Sequence, residues 1–289
     1  MARDVNTLAF GVIARRSRCG HDAAWCSSGY SCRDHTLCLV SMATLTVSAP
    51  VSETTRPART VASQRLPRWF CAGMAVAAVG VLIVGFAPSV YARLPETMPA
   101  MRAIVMAHAV LFSSWMVLFL VQTSLVATHH VRIHRWLGIV GVVLATVMVV
   151  SAPPMAVGLA RRGGPSGSDP LMFMLVIVVD VLLFAAFFGS AIWFRRRAET
   201  HRRLMLLAMT TLLPPAISRW PWVVRHPASG VTGMLLLFLV APLVGDLLAR
   251  RRPHPISVFG GLAVLVSGPL RFAVGQTAVW HELARWIVS

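Results

Sequence analysis

Long apolar stretches separated by short polar links make up most of the chain after residue 68. A helix needs about 20 predominantly apolar residues to cross a hydrocarbon core about 30 Å thick. Seven stretches reach this length, and the links between them carry Pro, Gly, Arg or His. The pattern therefore predicts an all-α, polytopic transmembrane helix bundle of about seven spans, at residues 70–91, 103–128, 136–160, 171–194, 204–224, 231–249 and 256–280.

Prolines fall inside three of these stretches. Pro153 and Pro154 lie in the third, Pro214 and Pro215 in the fifth, and Pro269 in the seventh. Proline lacks a backbone donor, and a membrane helix tolerates it where neighbouring helices satisfy the freed carbonyl groups. The sequence thus predicts interrupted or kinked helices that pack together in a bundle.

The composition agrees with a membrane location. Hydrophobic residues make up 56% of the chain and charged residues 13%, against about 25% charged residues in soluble domains. The net charge of +17 comes from arginine, because the chain contains no lysine. These arginines form short clusters between apolar runs, as in the loops of membrane proteins. We therefore expect a lipid bilayer, and not nucleic acid, as the partner of the chain.

The distribution of the arginines also predicts an orientation. Cytoplasmic loops of membrane proteins are enriched in basic residues. If the N-terminus is inside, fourteen arginines lie in the inside loops and the juxtamembrane tail from residue 56 onward, and six lie in the outside segments. The expected topology has the N-terminus inside and the C-terminus outside, in the inner (cell) membrane of a bacterium.

The first 68 residues differ from the rest of the chain. They contain four cysteines with spacings that match no zinc-binding pattern, at Cys19, Cys26, Cys32 and Cys38. No apolar region of a signal peptide precedes a cleavage site. We predict a disordered or spurious tail over residues 1–68, with a possible true start at Met42, followed by a membrane domain over residues 69–289.

A few polar residues fall within the predicted spans: His108, Gln122, Asp180, Arg219 and Arg271. Such residues are costly in hydrocarbon and therefore mark candidate functional positions. Helix geometry places Asp180, Arg219, Arg271 and His108 in the outer half of the bundle, where Asp180 could pair with either arginine. The alternatives are a site for a substrate, proton or cofactor, and a buried network that only fixes helix packing. Asp246 is expected nearer the inner surface, paired with loop arginines.

Two similar strings open helices at the inner face, HRWLG at 134–138 and HRRLM at 201–205. Histidines on separate membrane helices can hold haem b between them, and His134 and His201 have matching predicted depths. His108 lies too far outward to share a haem with either one. The alternative role of both inner histidines is to anchor the chain to lipid phosphates.

These residues resemble a known family. His108, Gln122, the string HRxxG at 134–138, the string RxxxExHRRLM at 195–205 and Ser218-Arg219 are similar to bacterial predicted membrane proteins of unknown function. The resemblance covers residues 108–219 and implies a four-helix membrane core at about 103–224. More distantly, the arrangement resembles cytochrome b561-type proteins, which implies haem b and electron transfer. That family pairs histidines at matched depths on both membrane sides, whereas here only the inner pair is found.

Three functional hypotheses follow. The first is a haem-b-binding or electron-transfer membrane protein that uses His134 and His201 inside and His108 outside, with a redox partner still to be identified. The second is a non-catalytic structural or accessory protein. The third is a small-molecule or proton carrier that uses Asp180, Arg219, Arg271 and Gln122. The chain contains no Walker A loop, GxSxG string or HExxH string, so enzymatic activity stays an open question.

Overall fold

The computed structural model describes residues 67–93, 99–164, 169–250 and 252–289. The predicted tail up to residue 66, including its four cysteines and Met42, lies outside the described residues. In the described part every regular element is an α-helix, which confirms the all-α prediction. The helices are α1 (Arg68–Arg93), α2 (Pro99–Ala127), α3 (Val131–Arg161), α4 (Pro170–Trp193), α5 (Ala198–Thr211), α6 (Pro214–Ile217), α7 (Pro221–Arg225), α8 (Pro227–Arg250), α9 (Pro255–Gly275) and α10 (Ala278–Val288).

Six helices of the described part are long and apolar enough to cross a membrane. Only 17% to 39% of the apolar window of each helix is buried inside the protein, so most of their apolar side chains face outward. An outward-facing apolar surface of this extent is suited to lipid. The chain is compatible with a multi-pass integral membrane protein. The six segments are Arg68–Ala87, Met106–Ala127, Val131–Arg161, Pro170–Trp193, Ser229–Ala249 and Pro255–Gly275.

The predicted fifth span, residues 204–224, is not one helix. α5 ends at Thr211, and Pro214 and Pro221 each open a new short helix. The consecutive prolines remove two backbone donors and disfavour helical geometry in the preceding residues, which ends α5. α3, α8 and α9 remain continuous through their own prolines.

The broken segment lies at the centre of the bundle. Ala208, Met209, Leu213, Ala216 and Ile217 are completely buried. They pack against side chains of α1, α2, α4 and α8 in one hydrophobic core. Protein covers α5 beyond its first turn, whereas Ala198 and Pro215 remain exposed.

The two ends of the bundle can be told apart by their contacts. At one end, Arg68 at the start of α1 hydrogen-bonds to His129 after α2, with Nη1 2.6 Å from Nδ1. The same end holds His134 at the start of α3, His201 at the start of α5 and Asp246 near the end of α8. We call this the histidine end.

The broken segment runs from the histidine end along the length of α1. The charges of Arg202 and Arg203 act on Cys71 in the first turn of α1. Further along, the backbone of Ala216 comes so close to Gly85 that no side chain would fit there, and the Trp220 indole donates a hydrogen bond to the Val81 carbonyl at 3.4 Å. α5 and α6 are therefore parallel to α1.

The chain turns sharply after α9. The predicted seventh span extends to residue 280, but α9 ends at Gly275. Thr277 then caps a separate helix, with its Oγ1 accepting a hydrogen bond from the Trp280 N–H at 3.2 Å. The extra helix α10 has only 11 residues, which is too short to cross a membrane.

Candidate functional site

The two predicted histidines meet at the histidine end. His134 lies in the first turn of α3, and His201 lies in the first turn of α5. Their ring centres are 6.5 Å apart and the ring planes are inclined by 78°. Both side chains are half-buried. Two imidazoles from different helices are therefore close enough to act on one ligand.

The orientation of His201 is fixed by a backbone carbonyl near the end of α4. Its Nδ1 lies 2.8 Å from the oxygen of Ala191. A carbonyl can only accept, so Nδ1 carries the hydrogen, and Nε2 keeps a lone pair while the ring is neutral. A histidine held in this way resembles a metal ligand, whose second ring nitrogen almost always donates to a carboxylate, carbonyl or water.

His134 is also held by a backbone group, that of Gln122, through one ring nitrogen. Among the described residues, its buried Nδ1 makes no hydrogen bond, and the same holds for the buried Oε1 of Gln122. The two residues are neighbours, because the Gln122 amide nitrogen lies 3.7 Å from where a side chain at Gly138 would begin, one turn beyond His134. Buried polar atoms without partners cost about 1–3 kcal/mol each and call for an explanation. In this part of the histidine end, one nitrogen of His134 and one oxygen of Gln122 therefore lack hydrogen-bond partners.

A second polar group of the histidine end is complete. Arg203 is 1% exposed and Asp246 is 0% exposed, and the guanidinium forms a two-point contact with the carboxylate. Asp246 also accepts hydrogen bonds from the backbone N–H of His254 at 3.1 Å and the hydroxyl of Ser257 at 3.4 Å. Arg203 Nη1 also lies 2.5 Å from Glu199 Oε2. The network links α5, α8 and α9.

The expected partners of Asp246 were loop arginines near the inner surface. The structure places Arg203 inside α5 and buries the pair completely. The Glu199–Arg203 spacing of four residues was the available signal, because it brings the two side chains together on one helix face.

The residues predicted for the outer half form separate groups. Asp180 on α4 accepts a hydrogen bond from Arg271 on α9, with Oδ1 2.6 Å from Nη1. The Arg271 guanidinium is also held by Ser267, through its carbonyl at 3.1 Å and its hydroxyl at 3.0 Å. The sequence left Arg219 and Arg271 as possible partners of Asp180, and the structure pairs Asp180 with Arg271. Gln122 belongs to the histidine end instead.

Arg219 and His108 lie together near α1. The Arg219 guanidinium stacks on the Phe86 ring at 4.6 Å and donates to the carbonyl of Pro215. Its charge also acts on His108, whose ring lies 4.1 Å from that of Phe112. The distance along α2 from His108 to the histidine end is about 28 Å. His108 is thus not brought near His134 or His201.

Larger groups of metal-binding side chains are not found in the described part of the chain. No three or more His, Cys, Asp or Glu residues there are placed to hold one metal ion. A tetrahedral structural zinc site needs four such ligands.

Comparisons with known proteins supply no functional assignment. No family model matches the chain, and no curated protein or solved structure is significantly similar to it.

Proposed function

We propose that the chain crosses the inner membrane of a bacterium seven times, with its N-terminus inside. The broken segment α5 to α7 is the fifth crossing in this topology. Its support is the parallel course of α5 and α6 along α1, with Arg203 near Cys71 at one end and Ala216 near Gly85 at the other. The excess of arginine in the resulting inside loops supports the orientation.

We further propose that the histidine end binds haem b through His134 and His201. The observation that carries this proposal is the facing pair of imidazoles with ring centres 6.5 Å apart. Two imidazoles that share one metal ion through nitrogen bonds of about 2.0 Å have ring centres roughly 6 Å apart. His134 and His201 would hold the haem iron between them. The distant resemblance to cytochrome b561-type proteins favours the same cofactor.

The residues at the site also have the chemistry that axial ligation requires. The Ala191 carbonyl fixes the His201 tautomer so that Nε2 offers a lone pair. The Gln122 backbone holds the other ring nitrogen of His134, so the unpartnered Nδ1 is the nitrogen that would bind the cofactor. When bound, haem b supplies reversible one-electron transfer. The protein residues orient the two imidazoles.

The proposal assigns one haem to the chain. His108 lies about 28 Å from the histidine end along α2, beside Phe112 and Arg219. We therefore assign His108 no role at this haem, and no electron path across the whole membrane follows from the histidine pair.

The test is an absorption spectrum of the detergent-purified protein, expressed with ample haem, before and after reduction. We expect a haem b spectrum near one haem per chain, lost in His134→Ala and in His201→Ala. His129→Ala is the matched control, because His129 lies at the same end but bonds to Arg68, and it should keep the haem. A colourless wild-type protein would refute the proposal and favour the non-catalytic alternative, in which these polar groups serve packing alone.

A further inference from the structure

The last helix, α10, has more apolar surface than its contacts with the bundle cover. Trp280, Ala284 and Val288 lie on the side that packs against α3 and α4, and Ala284 is completely buried. A second apolar side remains open. Val279 and Trp286 are each 76% exposed, and Leu283 and Ile287 on the same side of the helix are also exposed.

The remaining side of α10 is polar. At 100° per residue, His281, Arg285 and Glu282 fall on one sector of the helix, with His281 and Arg285 roughly opposite the open apolar sector and Glu282 at the edge of the polar sector. The helix therefore has three sides, one against the protein, one apolar and uncovered, and one charged. A helix with this distribution lies in the membrane–water interface, with its apolar side buried about 5–10 Å into the headgroup and acyl-chain boundary.

Side-chain contacts hold α10 across the ends of the neighbouring helices. Its first turn is tied to α4, because the Trp280 indole donates to the Leu171 carbonyl at 3.1 Å. Its last turn is tied to α3, because Arg161 Nε donates to the Val288 carbonyl at 2.7 Å. α10 thus extends from the end of α9 over the start of α4 to the end of α3. This path follows the membrane surface and not the direction of the spans.

The uncovered side continues the outward-facing apolar surface of α9. Phe272 is 57% exposed and Val274 is 39% exposed in the last turn of α9, just before the sharp turn into α10. Exposed Arg161 and Arg285 lie at the same level as α10, where arginine side chains can reach lipid phosphates. Trp286 is also the residue type enriched in the interface. These observations favour lipid over water or another protein at this surface.

We propose that α10 is an interfacial helix that inserts Val279, Leu283 and Trp286 into the bilayer at the acyl-chain boundary. The inserted side chains anchor the ends of α3, α4 and α9 to the membrane surface. This role is independent of any cofactor at the histidine end, which lies at the other end of the bundle.

The test uses a fluorescent label at single cysteines of the full-length protein in lipid nanodiscs, with one chain per disc. The background replaces the four cysteines before residue 40 by serine and Cys71 by alanine. Trp286→Cys and Leu283→Cys report on the open apolar side, and Glu282→Cys is the matched control on the polar side of the same helix. The label is an environment-sensitive dye, and its quenchers are lipids with a nitroxide near the headgroup and iodide in the water.

We expect the labels at 286 and 283 to be quenched several-fold more by the nitroxide lipids than the label at 282, and several-fold less by iodide. Equal iodide quenching at 286 and 282 would overturn the proposal, because the apolar side would then face water. Protection at 286 that appears only with two chains per disc would also overturn it, since a second copy of the chain would then cover this side.

Discussion

The histidine end contains two polar groups. They differ in whether all of their buried polar atoms have hydrogen-bond partners. In the network of Arg203 and Asp246, both carboxylate oxygens accept from Arg203 of α5, and one also accepts from His254 and Ser257 at the start of α9. In the pair of His134 and His201, one ring is anchored at Ala191, whereas the other has a buried nitrogen without a partner beside an unpartnered Gln122 oxygen. Both groups use side chains from the start of α5.

This difference distinguishes a polar group that stabilises helix packing from a polar group that can bind a ligand. A buried charge pair with all its hydrogen bonds made has nothing left to offer a ligand, and removing one partner is costly. An incomplete group is destabilising by itself, because desolvation is not offset by a hydrogen bond. Proteins keep such groups where a ligand completes them, so we interpret the closed network as structural and the open one as the site. The predictions below change one group at a time.

The largest effect is expected for Asp246→Ala. The substitution leaves Arg203, which is 1% exposed, without its main partner in the centre of the bundle. Losing one member of a buried pair costs about 3–5 kcal/mol. We expect a loss of that size in the free energy of unfolding, measured by denaturant titration in detergent. Asp246→Asn keeps the shape and part of the hydrogen bonding, and should lose less. A loss below about 1 kcal/mol for the alanine variant would contradict the structural role.

An intermediate effect is expected at Asp180 and Arg271. Their side chains are 12% and 10% exposed, and Ser267 also holds the guanidinium. Asp180→Asn and Arg271→Gln should each destabilise the protein, and the double variant should cost less than the sum, with a coupling of about 0.5–3 kcal/mol. A double-mutant cycle of thermal or denaturant unfolding measures this term.

The same cycle tests the carrier hypothesis for this pair. A packing pair is expected to change stability alone. An additive cycle would show that the two side chains do not stabilise each other, and the pair would then have to be regarded as an open site like that of His134.

The sequence predicted the depth of these residues along the helices but not the side of the helix on which each side chain meets its neighbours. Apolar stretch lengths located the long helices, because about 20 apolar residues span a bilayer whatever their neighbours are. Rise per residue gave His134 and His201 a common depth, and the structure brings their rings together. The side of the helix that each residue faces depends on tertiary packing. That is why depth alone could not decide between Arg219 and Arg271 as the partner of Asp180.

The two misjudged helix boundaries have physical reasons of their own. Residues 204–224 are apolar enough to span, but Pro214, Pro215 and Pro221 divide them, and hydropathy does not register a missing backbone donor. Residues 276 to 280 looked like the end of a span because Trp280 is apolar. Thr277 begins a new helix there by capping it, and a capping residue is a local polar signal inside an apolar run.

The smallest effect on stability, and the sharpest contrast with Asp246, is expected for Gln122→Met. Methionine has nearly the same shape as glutamine and no oxygen to desolvate. Because Gln122 Oε1 has no partner in the described part of the chain, removing it should leave the haem-free protein as stable as before, or more stable by up to about 1–3 kcal/mol.

A second readout of Gln122→Met separates packing from binding. If Gln122 orients His134 in the haem-bound protein, the variant should shift the midpoint reduction potential of the haem or lower the fraction of chains that retain haem. The stability of the haem-free variant should be unchanged. Thr123→Val is the matched control on the next residue, because the Thr123 hydroxyl donates only to carbonyls of its own helix, at 3.0 and 2.9 Å. A marked loss of haem-free stability in Gln122→Met would contradict the comparison, since Gln122 would then be a packing residue like Asp246.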